Sequence, residues 1–222
     1  MQLYTYPVTT NALKVALLEA YIKPFLDLGI EQRLIQLQKR EQSQADFLAI
    51  NPKRKIPVLV NAARGETVTE SNAILLYLLG LPQVQAVPEL AKLSQGSAVM
   101  SWLFWQASDT GIDRAGYHFN RVLLPHWGVH RAHEPDEEQL GKFSKSCQVL
   151  EQALAQNTYL CGDDVSVADI SVAALFMFHQ EAGMPLDNYP HLVAWLTRLE
   201  ARSWWRLAKD EAVDFIGDLT HR

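Results

Sequence analysis

Cysteine is scarce in this chain, with only Cys147 and Cys161 among 222 residues. Two are too few for a disulfide framework, and they do not form a Cys-x-x-Cys motif, so the chain reads as a protein of a reducing compartment. Long apolar runs are missing as well. None approaches the roughly 18 residues that a membrane-spanning helix needs, and no basic segment leads into an apolar one at the N-terminus. Positive charge is the third shortage. Lys and Arg total 20 against 25 Asp and Glu, a formal net charge of -5, which argues against a nucleic-acid-binding surface as the main function. No internal repeat or low-complexity tract interrupts the sequence. These absences point to a cytoplasmic protein that engages neither membrane nor nucleic acid.

What is present is an ordinary globular composition, 48% hydrophobic and 20% charged, with length enough for a substantial core. Residues 2–6 read as a strand stopped by Pro7, and a helix starts near Ala12 with Leu13, Ala16, Leu17 and Ala20 at helical spacing. Pro24 should end that helix near Lys23. A second strand is predicted at 33–37, a short helix at 44–50, strands at 58–60 and 67–68, and a helix over 71–80. This order predicts a small α/β unit with a mixed sheet over residues 1–80. Pro82 and Pro88 mark 81–89 as a linker. Beyond it strand signals vanish, and 90–222 reads as all-helical: one long or broken helix over 90–124, a loop over 125–136, and helices over 137–155, 166–181 and 191–209. Ser166 and Asp169 stand as N-cap and N3 of a capping box. With the chain stopping at Arg222, no appended domain is expected.

Two neighbouring stretches stand out. Lys55-Ile56-Pro57-Val58-Leu59-Val60 reads as a short buried strand with Pro57, which cannot donate a ladder hydrogen bond, at its entrance. Glu70-Ser71-Asn72-Ala73-Ile74 reads as a helix start, with Ser71 as N-cap and the Glu70 carboxylate beside it. A loop proline beside a strand, close to the open N-terminus of a helix, makes a place for a small peptide-like anion.

In order along the chain, these pieces resemble the landmarks of the cytosolic glutathione S-transferases. Leu3-Tyr4 and Pro7 precede a hydroxyl residue and Asn11. Lys55-Ile56-Pro57-Val58-Leu59 resembles the family's cis-proline motif, and Glu70-Ser71-x-Ala73-Ile74 its glutathione-binding helix start. Tyr159-Leu160-x-Gly162-Asp163 with Ser166-x-Ala168-Asp169-Ile170 resembles the capping signature of its helical domain. The likeness covers nearly the whole chain and is of the bacterial Nu/Theta-like type. The start, Leu3-Tyr4-Thr5-Tyr6-Pro7, is also similar to the transferase-like domain in the gamma subunit of translation elongation factor 1. One departure is Arg54, which stands where many relatives carry glycine.

The resemblance implies a thioredoxin-like glutathione-binding domain over 1–80, a linker over 81–89 and an all-α domain over 90–222, assembled as a homodimer. It implies a transferase that activates the glutathione thiol for attack on a small electrophile. A glutathione-dependent disulfide reductase and a non-catalytic transferase-like binding or assembly module are the alternatives. The thiol reacts as thiolate, so the protein must lower its pKa with hydrogen-bond donors or a helix N-terminus. On the resemblance, Thr9 is the thiolate donor and Asn11 assists, while the same residues would also suit plain capping of the first helix. Thr10 stands roughly where the bacterial Beta class carries a cysteine, so catalysis through a protein cysteine is not expected. For binding, the resemblance assigns the Ile56 backbone to the cysteinyl part of glutathione, with Pro57 in cis. It assigns Glu70 to the γ-glutamyl ammonium, Ser71 with the helix N-terminus to its carboxylate, and Lys55 to the glycyl carboxylate.

The remaining candidates carry weaker signals. Tyr4 and Tyr6 lie within the first strand and read as packing residues. Trp102, Phe104 and Trp105 could wall a pocket for the second substrate, although such a cluster more commonly packs in a core. Asp109, Arg114 and Tyr117 follow on the same stretch. His126, His130 and His133, beside Glu134, would suit zinc only on a helix, whereas Pro125 argues for a loop, and no metal is expected. Cys147, on an apolar helix face, reads as a buried hydrophobe.

Overall fold

The computed structural model describes residues 1–108, 110–129 and 133–220. Strand β1 (Gln2–Thr5) leads into α1 (Thr10–Ile22), which ends at Lys23 because Pro24 follows. Next come β2 (Glu31–Leu34) and α2 (Ala45–Ile50), stopped at Asn51 ahead of Pro52. Strands β3 (Val58–Asn61) and β4 (Glu66–Thr69) form a hairpin before α3 (Ser71–Leu79). Two single-turn helices follow, α4 (Pro82–Gln85) and α5 (Pro88–Ala91), each with proline in its first turn, where a missing N–H costs nothing. The helical part comprises α6 (Ser97–Ser108), a π-helical turn at Phe119–Leu123 running into α7 (Leu124–His126), α8 (Glu137–Leu154), α9 (Val167–Ala173), α10 (Pro190–Glu200) and α11 (Ser203–Thr220).

The sheet is mixed, in the order β2-β1-β3-β4. Parallel pairing sets Gln2 opposite Glu31, and antiparallel pairing sets Leu3 opposite Leu59 and Val58 opposite Thr69. Leu3 and Leu59 face the main core, which runs through α1 and α3 into the helical part. Val58, with Ile35 and Phe47, fills a smaller cluster on the opposite face, where the Tyr4 ring meets Phe47 edge-on at 6.2 Å. This alternation is the period-two rule of a strand.

Asp169 organises the helical part. Its carboxylate is fully buried and accepts four hydrogen bonds: from the Leu160 and Ser166 backbone N–H groups at 2.8 and 2.9 Å, the Ser166 hydroxyl at 2.8 Å and the Trp195 indole at 3.0 Å. The capping box expected at Ser166 is therefore present, and it also ties the 159–162 turn and α10 to α9.

Some boundaries differ from the sequence reading. The second strand runs over 31–34 rather than 33–37, because it is an edge strand exposed at every position and shows no alternation to read. The stretch 90–124, read as one long or broken helix, is broken twice: between α5 and α6, where Gly96 sits at φ 93, and between α6 and the turn at Phe119–Leu123, where Gly116 sits at φ 72. Regular α-helix after Ser166 stops at Ala173 and tightens into a 3-10 turn over Ala174–Phe176 instead of reaching 181. The expected helix over 191–209 is two helices, parted at Ala201–Arg202 without a proline or glycine to announce it.

Candidate functional site

A cleft of about 250 Å³ opens between the N-terminal α/β part and the segment that follows the middle of α6. Its near wall carries Asn11, Lys55, Ile56, Pro57, Glu70 and Ser71, and its far wall includes Gln106, Asp113 and Arg114.

The proline loop is built by local hydrogen bonding. Buried Asn51 donates from Nδ2 to the Lys55 carbonyl at 2.7 Å and accepts the Lys53 N–H at 3.1 Å, folding residues 51–55 back on themselves. Arg54 adopts φ 59, the left-handed region that a glycine enters without steric cost. The Ile56–Pro57 bond that follows is cis, and Lys55 extends into solvent.

The start of α3 differs from the sequence reading. Glu70 rather than Ser71 is the N-cap residue, and it sits at φ 70, ψ 122, a conformation costly for any side chain. Its carboxylate makes no cap; it pairs with Lys53 at 2.9 Å on the exposed rim. The first N–H groups of α3 are therefore left without a capping side chain beside the cleft, a favourable place for an anion.

Ser71 is instead part of a buried network that the sequence reading missed. Lys14, 1% exposed within α1, donates from Nζ to Gln106 Oε1 at 2.5 Å and to Ser71 Oγ at 3.2 Å. Ser71 Oγ donates to Asn11 Oδ1 at 3.1 Å. Gln106 Oε1 also receives Asn72 Nδ2 at 3.0 Å, and Asn72 accepts the Ser171 hydroxyl at 2.6 Å. Burial pulls the Lys14 ammonium down to about 8, against the opposing pull of the Asp113 and Glu70 carboxylates. The available signal was a lysine three residues after Asn11, on the same helix face, inside an otherwise apolar run.

Thr9 lies next to this network but is not part of the cleft wall. It is the N-cap residue of α1, and its Oγ1 donates to the Tyr6 carbonyl at 3.1 Å. Two histidines from the helical part fasten the same loop. His118 Nε2 donates to the Val8 carbonyl at 2.7 Å, and His126 Nε2 lies 3.1 Å from the Tyr6 hydroxyl, which also accepts the Trp127 indole N–H at 2.8 Å. Tyr6 is fully buried just beyond β1, packed edge-on against Phe215.

The other candidates fall elsewhere. Trp102 donates to the Leu160 carbonyl at 3.0 Å and stacks edge-on with Trp105, while Phe104 is 66% exposed; none of the three lines the cleft. Tyr117 is buried against Phe143. Asp109 and His130 lie outside the described residues. Neither cysteine lines the cleft: Cys147 is buried, its thiol pushed up to about 12, and Cys161 is half-buried.

Comparison with known proteins gives this arrangement its family. The model for the glutathione S-transferase N-terminal domain matches residues 1–80, and that for the C-terminal domain matches 115–203. Glutathione S-transferase F10 of Arabidopsis thaliana is 30% identical over 179 residues, covering 78% of this chain and 81% of that protein. A solved glutathione S-transferase from Pseudomonas fluorescens superposes with a TM-score of 0.71 at 26% identity, covering 91% of this chain and 96% of the other. A glutathione S-transferase I solved with lactoylglutathione shares the fold, with a TM-score of 0.72 at 23% identity over 94% and 98% of the two chains. A mixed four-stranded sheet followed by helices, matched to both domain models in order, makes this chain a member of the glutathione S-transferase family, with glutathione as its substrate.

Proposed function

We propose that the cleft binds glutathione across its near wall and ionises the thiol beside Asn11. The Ile56 backbone pairs with the cysteinyl unit, Lys55 faces the glycyl carboxylate, Glu70 takes the γ-glutamyl ammonium, and the Ser71 backbone N–H with the N-terminus of α3 takes its carboxylate. The thiol gives its proton to solvent. The thiolate sulfur then forms a bond to an electrophilic carbon of a small second substrate, whose leaving group departs with the electron pair. The observation that carries this reading is that Asn11, Lys55, Ile56, Pro57, Glu70 and Ser71, widely separated in sequence, line one cleft.

Between the two thiol donors, the geometry favours Asn11 as the leading one. Its Oδ1 is engaged by Ser71, which leaves the amide nitrogen for the ligand, whereas the Thr9 hydroxyl is turned onto the Tyr6 carbonyl. Thr9 serves as a second donor by rotating off that carbonyl. We take residues 1–80 as the glutathione-binding domain, 81–89 as the linker and 90–222 as the helical domain. The two free cysteines support a reducing, cytoplasmic setting. Exposed Met100 and Phe104, one turn apart on α6, support a homodimer interface.

The test is retention on immobilised glutathione, with turnover of an aryl halide by the Asn11→Ala and Thr9→Ala variants. Removing the leading donor should cost about a hundredfold in kcat and removing the second about tenfold. The reverse order would hand the leading role to Thr9, and an unretained, inactive wild-type protein would overturn the reading.

A further inference from the structure

Lys14 is a buried cation for which glutathione binding, as described above, has no use. Its hydrogen bonds nevertheless fix the direction of the polar side chains of Ser71, Asn11 and Gln106, which line the cleft beside it. An ammonium has three protons and no lone pair, so it can only donate. Ser71 Oγ, 3.2 Å from Nζ, must accept there and has one proton left to give. That proton goes to the Asn11 side chain at 3.1 Å, which must therefore present its oxygen. The two ends of an asparagine amide are alike in shape, and only the partner decides which way it lies. With Oδ1 held by Ser71, Nδ2 is the end left for a ligand.

The other side of the ammonium is equally determined. Gln106 Oε1 accepts from both Lys14, at 2.5 Å, and Asn72 Nδ2, at 3.0 Å, so its amide also has one orientation. Asn72 in turn is fixed by donating to the Leu103 carbonyl at 2.8 Å and accepting from Ser171 at 2.6 Å. The relay thus spans α1, α3, α6 and α9, and the cation in its middle is 1% exposed yet borders the cleft.

We propose that Lys14 is a positioning residue for thiol ionisation: through Ser71 it holds Asn11 with its amide N–H toward the glutathione sulfur. The inference rests on the reading of Asn11 as the leading thiol donor. Without the ammonium, Ser71 Oγ is free to accept from Asn11 Nδ2. The amide then turns over and offers a lone pair where a thiolate must sit. A charge-assisted chain also makes the terminal N–H a stronger donor than an isolated amide.

The experiment titrates the ultraviolet absorbance of the thiolate in the protein saturated with glutathione, for wild type, Lys14→Met, Asn11→Ala and the double variant. Lys14→Met should raise the bound thiol's pKa by about one unit, a tenfold loss of thiolate below that pKa. Asn11→Ala should raise it further, and the double variant should match Asn11→Ala alone, since Lys14 acts only through Asn11. An unchanged pKa in Lys14→Met, beside a shifted one in Asn11→Ala, overturns the proposal. So do additive shifts, which would mean that the ammonium acts on the sulfur by itself. An unshifted Asn11→Ala removes the donor reading and the proposal with it, and no thiolate signal in wild type removes the glutathione reading first. Should Lys14→Met not fold, Ser71→Ala cuts the same link: the same one-unit rise, absent in an Asn11→Ala background, is expected, and an unchanged pKa overturns the relay.

Discussion

Two side chains of formal charge are fully buried among the described residues, Asp169 in the helical part and Lys14 beside the cleft. They differ in how completely their surroundings answer them. Asp169 has four donors on two oxygens, every one supplied by its own neighbourhood. Among the described residues Lys14 has three protons and two acceptors, both neutral, with the carboxylates of Asp113 and Glu70 acting on it only at a distance. A saturated buried charge holds a fold together. One held short of saturation next to an opening costs stability and serves, on the proposal above, to orient its neutral partners.

The largest effect expected from this contrast lies at Asp169. Asp169→Ala leaves two backbone N–H groups and the Trp195 indole without their acceptor inside the core, which should cost about 3–5 kcal/mol. Urea unfolding measures it, and a loss below about 1 kcal/mol would show that the box is replaceable by water. The thiol pKa of glutathione bound to the folded fraction should stay where it is in wild type.

Lys14→Met should move stability the other way. The Lys14 pKa is lowered from 10.5 to about 8 by burial, so between those pH values the unfolded chain binds more protons than the folded one. Stability therefore climbs as pH rises from 8 to 10.5, and below 8 the folded protein bears the whole cost, roughly 3 kcal/mol. Replacing the ammonium with a thioether removes that cost but leaves Ser71 Oγ short of a donor. A net gain of about 1–2 kcal/mol at neutral pH is expected, together with loss of the rise above pH 8. Denaturant midpoints across that range decide it. A less stable Lys14→Met protein would place Lys14 with Asp169 as a fold-building charge.

The two sites were not equally legible in the sequence. The capping box at Ser166 and Asp169 is set by adjacent residues, so local pattern sufficed there, whereas the cis bond at Pro57 was implied only by the family resemblance and the N-cap of α3 was read one residue late, at Ser71 instead of Glu70. Arg54, the departure noted in the motif, adopts φ 59, a left-handed conformation that its residue type does not announce and only the backbone shows. Lys14 was illegible for the opposite reason. Its acceptors Ser71 and Gln106 lie 57 and 92 positions away, and its place in an apolar run after Asn11, the one local signal, does not tell a buried lysine from one at the edge of a helix face. Thr9 was readable as a cap, but the turn of its hydroxyl onto the Tyr6 carbonyl depends on a backbone path that residue types do not encode.

A third group sharpens the contrast at the smallest scale. Glu19, further along α1, is half-buried at a separate cavity of about 480 Å³ behind the helix, with Glu211 from α11 also on its wall. Burial pushes its carboxyl up from 4.5 to about 7; Glu211 and Asp27 add to the rise and Lys23 opposes it. A carboxyl raised on folding contributes stability that is whole below pH 4.5 and is lost as pH rises through 7, the reverse of the Lys14 case. Partial exposure reduces the effect to about 1–2 kcal/mol. Thermal midpoints of wild type should fall between pH 5 and 8 relative to Glu19→Gln, whose amide keeps the size of the side chain and cannot ionise. Turnover should not follow. Glu19 shares no hydrogen bond with the Lys14 relay, so the bound thiol's pKa should be the same in Glu19→Gln and wild type. A shift there would mean that α11, which packs along α1 and sets Phe215 against Tyr6, transmits its docking to the Thr9 loop. Thr9 rather than Asn11 would then be the donor that the helical part controls.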